Sequence, residues 1–159
     1  LKAYDRLEEE GMPMVLMEWD SNFTTGITII DLQHKKIIEL INQLYGSLKI
    51  GEDKVLIEGL LKELIEHSQV HFRTEEELFI KFHYLMTLEH TVEHRRFSFI
   101  VTMFNQDYFD GKIVHPLQVL DFIAVWLIDH IVSQDHAYAL FLSEKLNGNS
   151  IEGRKYHGR

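Results

Sequence analysis

The chain is 159 residues long, 45% hydrophobic and free of cysteine, and it carries a formal charge of −9. Its length suits one domain with its own core, and without cysteine there can be no disulfide, iron–sulfur cluster or cysteinate zinc site, so any metal must be held by nitrogen and oxygen. The acidic balance argues against nucleic acid or an anionic lipid surface as partner; with no apolar run near the ~18 residues of a membrane span and no basic-then-apolar leader, the sequence predicts a cytoplasmic domain that makes no membrane contact.

Residues 1–17 read as an N-terminal extension: 1–11 suit a short acidic helix, while Pro13, Gly26 and the β-branched residues over 12–28 suit an extended arm. Four helices follow, each with apolar residues three and four apart. The first, over about 30–48, carries Ile37, Ile38, Ile41, Tyr45 and Leu48 and ends near Gly51. A second runs from about Asp53 to Phe82 on Ile57, Leu60, Leu61, Leu64, Leu78 and Phe82. The third begins near Met86, uses Phe97, Val101, Phe104 and Tyr108, and stops around Asp110-Gly111. Pro116 opens the fourth at a first-turn position where its missing N–H costs nothing, and Gly148 is placed to end it. The pattern predicts an all-α, antiparallel up-down-up-down four-helix bundle over residues 18–147. Residues 148–159 are polar and aperiodic and read as a disordered tail or linker.

Seven polar residues interrupt the apolar stripes. His34 precedes Ile37 by one turn, His71 and Glu75 are four apart, as are His90 and His94, and on the fourth helix His130 continues the row Phe122, Trp126 while Asp135 continues Leu127, Ile131. A single histidine on an apolar face is more often a hydrogen-bonded core residue than a ligand. Here five occur together with two inward carboxylates, each costing several kcal/mol to bury unpaired, and no lysine or arginine occupies a matching position. Bound cations resolve the conflict, since imidazole and carboxylate are ligands of first-row metals. Seven ligands exceed the four of a structural zinc, so two metals bridged by carboxylates is the economical reading. His130 and Asp135 are the awkward pair: five residues apart, they stand about 140° apart on an ideal helix.

Other di-metal bundles use Glu-x-x-His pairs, and no histidine here has a glutamate three residues before it. His-Glu-x-x-His, phosphate-loop and Gly-x-Ser-x-Gly patterns are also missing. His67, one turn before His71, reads as a packing or outer-layer residue, and His83, His115, His136 and His157 read as solvated.

The segments Trp19 with Gly26-Ile27, Ile30 through His34, His71 through Glu76, His90 through Phe97, and Trp126 through His130 followed by Asp135 resemble the bacteriohemerythrin family over roughly residues 18–146. Leu85 departs from it, standing in the link between the second and third helices where many members have proline. The resemblance implies two iron ions, ferrous or ferric, with an oxo or hydroxo bridge: one held by His90, His94 and His130, the other by His34 and His71, with Glu75 and Asp135 bridging. It further implies that the second iron keeps an open position for O2, walled by Phe72, Trp126, Leu127 and Ile131.

The function so implied is reversible O2 binding without enzymatic turnover, in sensing, storage or delivery. A sensory domain attached to a signalling output domain is the favoured context, and an oxygen-consuming enzyme is the other candidate partner. A free-standing oxygen carrier, a di-iron redox enzyme (peroxidase, oxidase or nitric-oxide handling) and an interaction domain with structural ions are the alternatives. An apolar wall suits binding over turnover, because water and proton donors near the ligand promote its release as peroxide.

Overall fold

A computed structural model describes residues 15–113 and 115–152, with the backbone alone for 147–152. The helices are α1 (Thr28–Ile50), α2 (Lys54–Phe82), α3 (Thr87–Phe109), α4 (Pro116–His130) and α5 (His136–Glu152), with a π-helical turn over Ile131–Asp135 joining the last two. α1 packs on α2, α2 on α3, α3 on α4, and α4 closes the ring on α1. The result is the expected four-helix bundle, its fourth member being α4, the π turn and α5 in series.

The arm ahead of α1 is tied down rather than loose. The Asn42 side chain accepts from the Leu16 and Met17 amides at 2.9 Å each and donates to the Met17 carbonyl at 2.8 Å, which buries Met17, while Phe23 in the short 3-10 turn Ser21–Phe23 is buried too. Asp31 then gathers the turn before α1, accepting from the Thr25 amide and hydroxyl at 2.8 and 2.7 Å and from the Gly26 amide at 3.2 Å. Gly26 has φ 81°, a conformation suited to glycine. The predicted helix over 1–11 lies outside the described residues.

Helix ends follow local chemistry. Asp53 caps α2 by accepting from the Val55 amide at 2.7 Å, and Gly51 ends α1 in the left-handed region at φ 69°. α2 ends on His83 at φ 56°, the one non-glycine residue with positive φ among the described residues. The fourth member does not stop at Gly148: its backbone stays helical to Glu152. A glycine inside a helix costs about 1 kcal/mol relative to alanine, a penalty and not a prohibition.

The interior is layered. Ile37, Leu40, Ile41 and Leu44 of α1, Ile57, Leu61 and Leu64 of α2, Phe97, Val101 and Phe104 of α3, and Leu120, Ile123 and Leu127 of α4 form the main core, each fully buried aliphatic side chain contributing about 1.5–3 kcal/mol. A second, smaller cluster joins Phe79, Tyr84, Tyr138 and Leu142 at the other end. The polar residues of the sequence analysis fall between these two apolar layers. Phe122 is a correction: it is 53% exposed because residues eight apart drift by about 80° on a 3.6-residue helix, so the row Phe122, Trp126, His130 turns inward only toward its end. The stretch Pro116–Leu146, with a mean hydropathy of 1.4 over its most apolar window, is long and apolar enough to cross a membrane by those two measures; here it forms one wall of the bundle.

Replacing His83 by glycine is expected to stabilise the fold by about 1 kcal/mol by relieving the left-handed conformation, seen as a higher urea midpoint at unchanged slope. A lower midpoint would show that the His83 side chain contributes more than its backbone costs.

Candidate metal centre

Four helical members and the π turn converge on one buried layer. α1 supplies His34, α2 His71 and Glu75, α3 His90 and His94, α4 its last residue His130, and the π turn its last residue Asp135; all seven are at most 3% exposed. The π turn settles the awkward spacing. The His136 amide bonds to the Ile131 carbonyl five residues back, and this wider turn absorbs one additional residue, so a five-residue step from His130 reaches the face that four reach in an α-helix. The signal was present in the sequence as that misfit of five.

Asp135 faces both sides of the layer: Oδ2 lies 3.1 Å from His34 Nε2, and Oδ1 lies 3.0 Å from His90 Nε2 and 3.2 Å from His130 Nε2. Glu75 Oε2 is 3.1 Å from His94 Nε2, 3.5 Å from His71 Nε2 and 3.7 Å from His90 Nε2. The donor atoms sort into two sets, each with all members within 4.8 Å of one another: Glu75, His90, His94 and His130, and His34, His71, Glu75 and Asp135. Glu75 belongs to both. Asp135 spans them as well, one oxygen to each side.

These close approaches are not hydrogen bonds. Nε2 of His34, His71 and His94, and both oxygens of Glu75 and of Asp135, are buried without a hydrogen-bond partner among the described residues. A folded protein leaves few such atoms, because each costs about 1–3 kcal/mol or more. Donor atoms packed together yet not directed at one another fit a shell around shared cations. His90 Nε2 and His130 Nε2, 3.1 Å apart, have the separation of neighbouring ligands each about 2.1 Å from one ion. The residues present therefore fit two first-row metal ions.

Electrostatics point the same way. Burial, and then the charge of His34, lower the pKa of His71 to about 3; burial, and then His90, lower that of His94 to about 2; burial also lowers His90. These imidazoles are neutral at neutral pH, the form in which they bind metal. Burial and the adjacent Asp135 push Glu75 well above the usual carboxylate range; burial also pushes Asp135 up, but His130, His34 and His90 hold it well below. Without cations the pair sheds one negative charge, and bound cations let both carboxylates ionise.

Two imidazoles of the layer are oriented from outside it. His71 Nδ1 donates to Gln33 Oε1 at 3.3 Å, Gln33 Nε2 donates to Thr74 Oγ1 at 3.0 Å, and Thr74 Oγ1 donates to the Val70 carbonyl at 2.8 Å. Because the Thr74 hydroxyl proton is committed to Val70, its oxygen must accept from the Gln33 amide. That fixes the amide oxygen toward His71 and leaves the His71 Nε2 lone pair facing inward. On the other side His94 Nδ1 lies 3.0 Å from Glu76 Oε1.

Aromatic rings line the layer. Phe72 stacks on His94 at 4.1 Å between centroids, Trp126 on His130 at 4.5 Å, and Phe79 lies 4.6 Å from His90. Of the four predicted pocket residues, Phe72 and Trp126 touch imidazoles of the layer, while Leu127 and Ile131 are buried in the apolar cluster beside His130. The sequence reading missed Phe79, four residues after Glu75 on the same face, and Tyr138, three after Asp135. Tyr138 is fully buried, and its hydroxyl, like that of Ser68, lacks a hydrogen-bond partner among the described residues; burial and the charge of Glu75 push its pKa up. His83 and His115 are exposed as expected, whereas His67, read as a packing or outer-layer residue, is also exposed. His136 is only half exposed, with Nε2 enclosed, because the π turn carries it partly inward. His157 lies outside the described residues.

The model of the hemerythrin HHE cation binding domain matches residues 25–141. A bacteriohemerythrin of Clostridium acetobutylicum is 32% identical over 128 residues, covering 76% of this chain and 96% of its own length. A hemerythrin-like protein of Naegleria gruberi is 32% identical over 120 residues, 76% of this chain and 88% of its own. Among solved structures, a wild-type hemerythrin superposes with a TM-score of 0.75 at 28% identity, covering 81% of this chain and 99% of that one.

Deleting Ser133, an exposed residue of the π turn, is expected to return the turn to α geometry and keep Asp135 on the inner face. Deleting the exposed Val125 from α4 rotates everything after it by about 100°. Metal analysis should find wild-type stoichiometry in the first variant and a loss in the second; metal loss in both would mean that the turn's width does not set the position of Asp135.

Proposed function

This chain belongs to the hemerythrin family of HHE cation-binding domains, and on that premise we propose that its buried layer holds two iron ions and binds O2 reversibly. The observation carrying this reading is the pair of overlapping donor sets, linked by Glu75 and Asp135 and sealed in the interior, in which Nε2 of His34, His71 and His94 and the oxygens of both carboxylates lack hydrogen-bond partners among the described residues. His90, His94 and His130, with Glu75 and Asp135, would hold one ion, and His34 and His71, with the same two carboxylates, would hold the other. The second set has one imidazole fewer and would leave room for a ligand. When bound, reduced iron supplies the electrons that O2 binding draws on.

The surrounding residues favour binding over turnover. Phe72, Phe79 and Trp126 cover the imidazoles, and Leu127 and Ile131 continue the apolar wall, so water and its protons are kept from the ligand. One observation favours the redox-enzyme reading: the buried Tyr138 hydroxyl is a potential hydrogen donor beside the layer. The bundle over residues 18–147 is the functional unit. The cytoplasm, whose reducing poise maintains ferrous iron, is its compartment.

The test is metal content with the optical spectrum of anaerobically reduced protein before and after air. Two irons per chain, a reversible absorbance change with O2, and faster decay to the ferric form in Leu127→Ala are expected. A stoichiometry near one, or zinc retained in preference to iron, overturns the centre. Unchanged decay in an iron-replete Leu127→Ala variant removes Leu127 from the ligand wall, and O2 consumption that Tyr138→Phe abolishes favours the enzyme.

For biological use, we propose sensing. Asp135 ends the π turn from which α5 runs to Glu152, so a ligand that favours one geometry of the turn would shift α5 along with it; a ligand with equal affinity for both geometries would shift nothing. Hydrogen exchange over residues 136–146 should differ between the deoxy and oxygenated forms. Identical exchange would favour a carrier or storage role.

A further inference from the structure

We propose that Glu76 is a positioning residue which, acting through His94, makes the iron held by His90, His94 and His130 the harder of the two to reduce. The proposal rests on the di-iron reading above. It starts from an asymmetry in the two hydrogen bonds that orient ligand rings from outside. His94 Nδ1–H donates to a carboxylate oxygen, Glu76 Oε1, at 3.0 Å, whereas His71 Nδ1–H donates to an amide oxygen, Gln33 Oε1, at 3.3 Å. A hydrogen bond to an ionised acceptor is about twice as strong as a neutral one. It draws the Nδ1 proton away from the ring and makes Nε2 the better electron donor. A better donor stabilises the ferric ion, of higher charge, over the ferrous one.

The surroundings keep the two acceptors different. Gln33 is held by its bond to Thr74, so the neutral oxygen is the atom that His71 meets. Glu76 opens instead onto a groove of about 400 Å³ between α2 and α3, floored by Phe72 and His94 and flanked by Arg73, Arg95 and Ser98. Its side chain is 36% exposed; burial raises its pKa and the charge of Arg95 opposes that rise, while Glu75, its neighbour in sequence, is sealed in the layer. A solvent-exposed carboxylate thus stands one imidazole from the three-histidine set, and the two-histidine set has none through His71. The two-histidine set, with one imidazole fewer, would then hold the less electron-rich iron.

Iron stoichiometry is measured first, in wild type, Glu76→Gln and Gln33→Glu. Reduction potentials of iron-loaded protein are then read by anaerobic spectroelectrochemical titration, along with the exchangeable, hyperfine-shifted Nδ1–H proton resonances of the diferrous form. In Glu76→Gln one iron couple is expected to shift to higher potential, with displacement of a single Nδ1–H resonance. Gln33→Glu should lower the potential of the other couple. Unchanged potentials in a Glu76→Gln variant that holds both irons overturn the proposal. If that variant loads less iron, Gln33→Glu decides, and no lowering there overturns it. A wild-type chain that fails to bind two irons would instead refute the di-iron reading itself.

Discussion

Two carboxylates at the centre of a helical bundle are the constraint on which the rest of this molecule depends. Glu75 and Asp135 are both within 1% of complete burial, and no lysine or arginine approaches either within ion-pair distance among the described residues. Taking an isolated carboxylate out of water costs several kcal/mol, and two together cost more through their repulsion. The neutral imidazoles of His71, His90 and His94 offset little of this by themselves. The layer becomes favourable when cations occupy it, so metal binding and folding are linked: metal that binds only the folded chain stabilises it in proportion to affinity and concentration.

Both apolar layers serve that constraint. The main core and the smaller Phe79, Tyr84, Tyr138, Leu142 cluster lie on opposite sides of the polar layer and hold the helices together without using the ligands as glue. Rings reach from both layers onto imidazoles, Phe72 from one and Phe79 from the other. His94 and His90 are thereby confined in orientation, and a preorganised shell loses less entropy on binding ions.

Irregular backbone appears where the donors need it. A straight α-helix through residues 116–152 would turn Asp135 away from His130, and the π turn brings it back. Such turns are uncommon and gather at functional sites. This one also lies at the start of α5, so the residue that joins the two donor sets is the residue from which the last helix departs. A single element therefore couples the centre's geometry to the C-terminal helix.

The sequence by itself determined the helix count, the boundaries to within a few residues and the seven inward histidines and carboxylates, because helical periodicity assigns a face to each position and burial of His, Glu and Asp is costly enough to require a reason. It also flagged its own difficulty in the five-residue step from His130 to Asp135. Only the tertiary structure decided how that step closes, since the width of a turn depends on packing against three other helices and not on local propensity. The same holds for Phe122, which its row placed inward and the bundle turned out, and for Gly148, which an isolated helix would have ended on. Tyr138 and Phe79 became part of the site's surroundings, and Gln33 and Glu76 became partners of His71 and His94, for one further reason: which outer atom meets a ring nitrogen depends on how neighbouring helices are set against each other, and a one-dimensional pattern does not contain that.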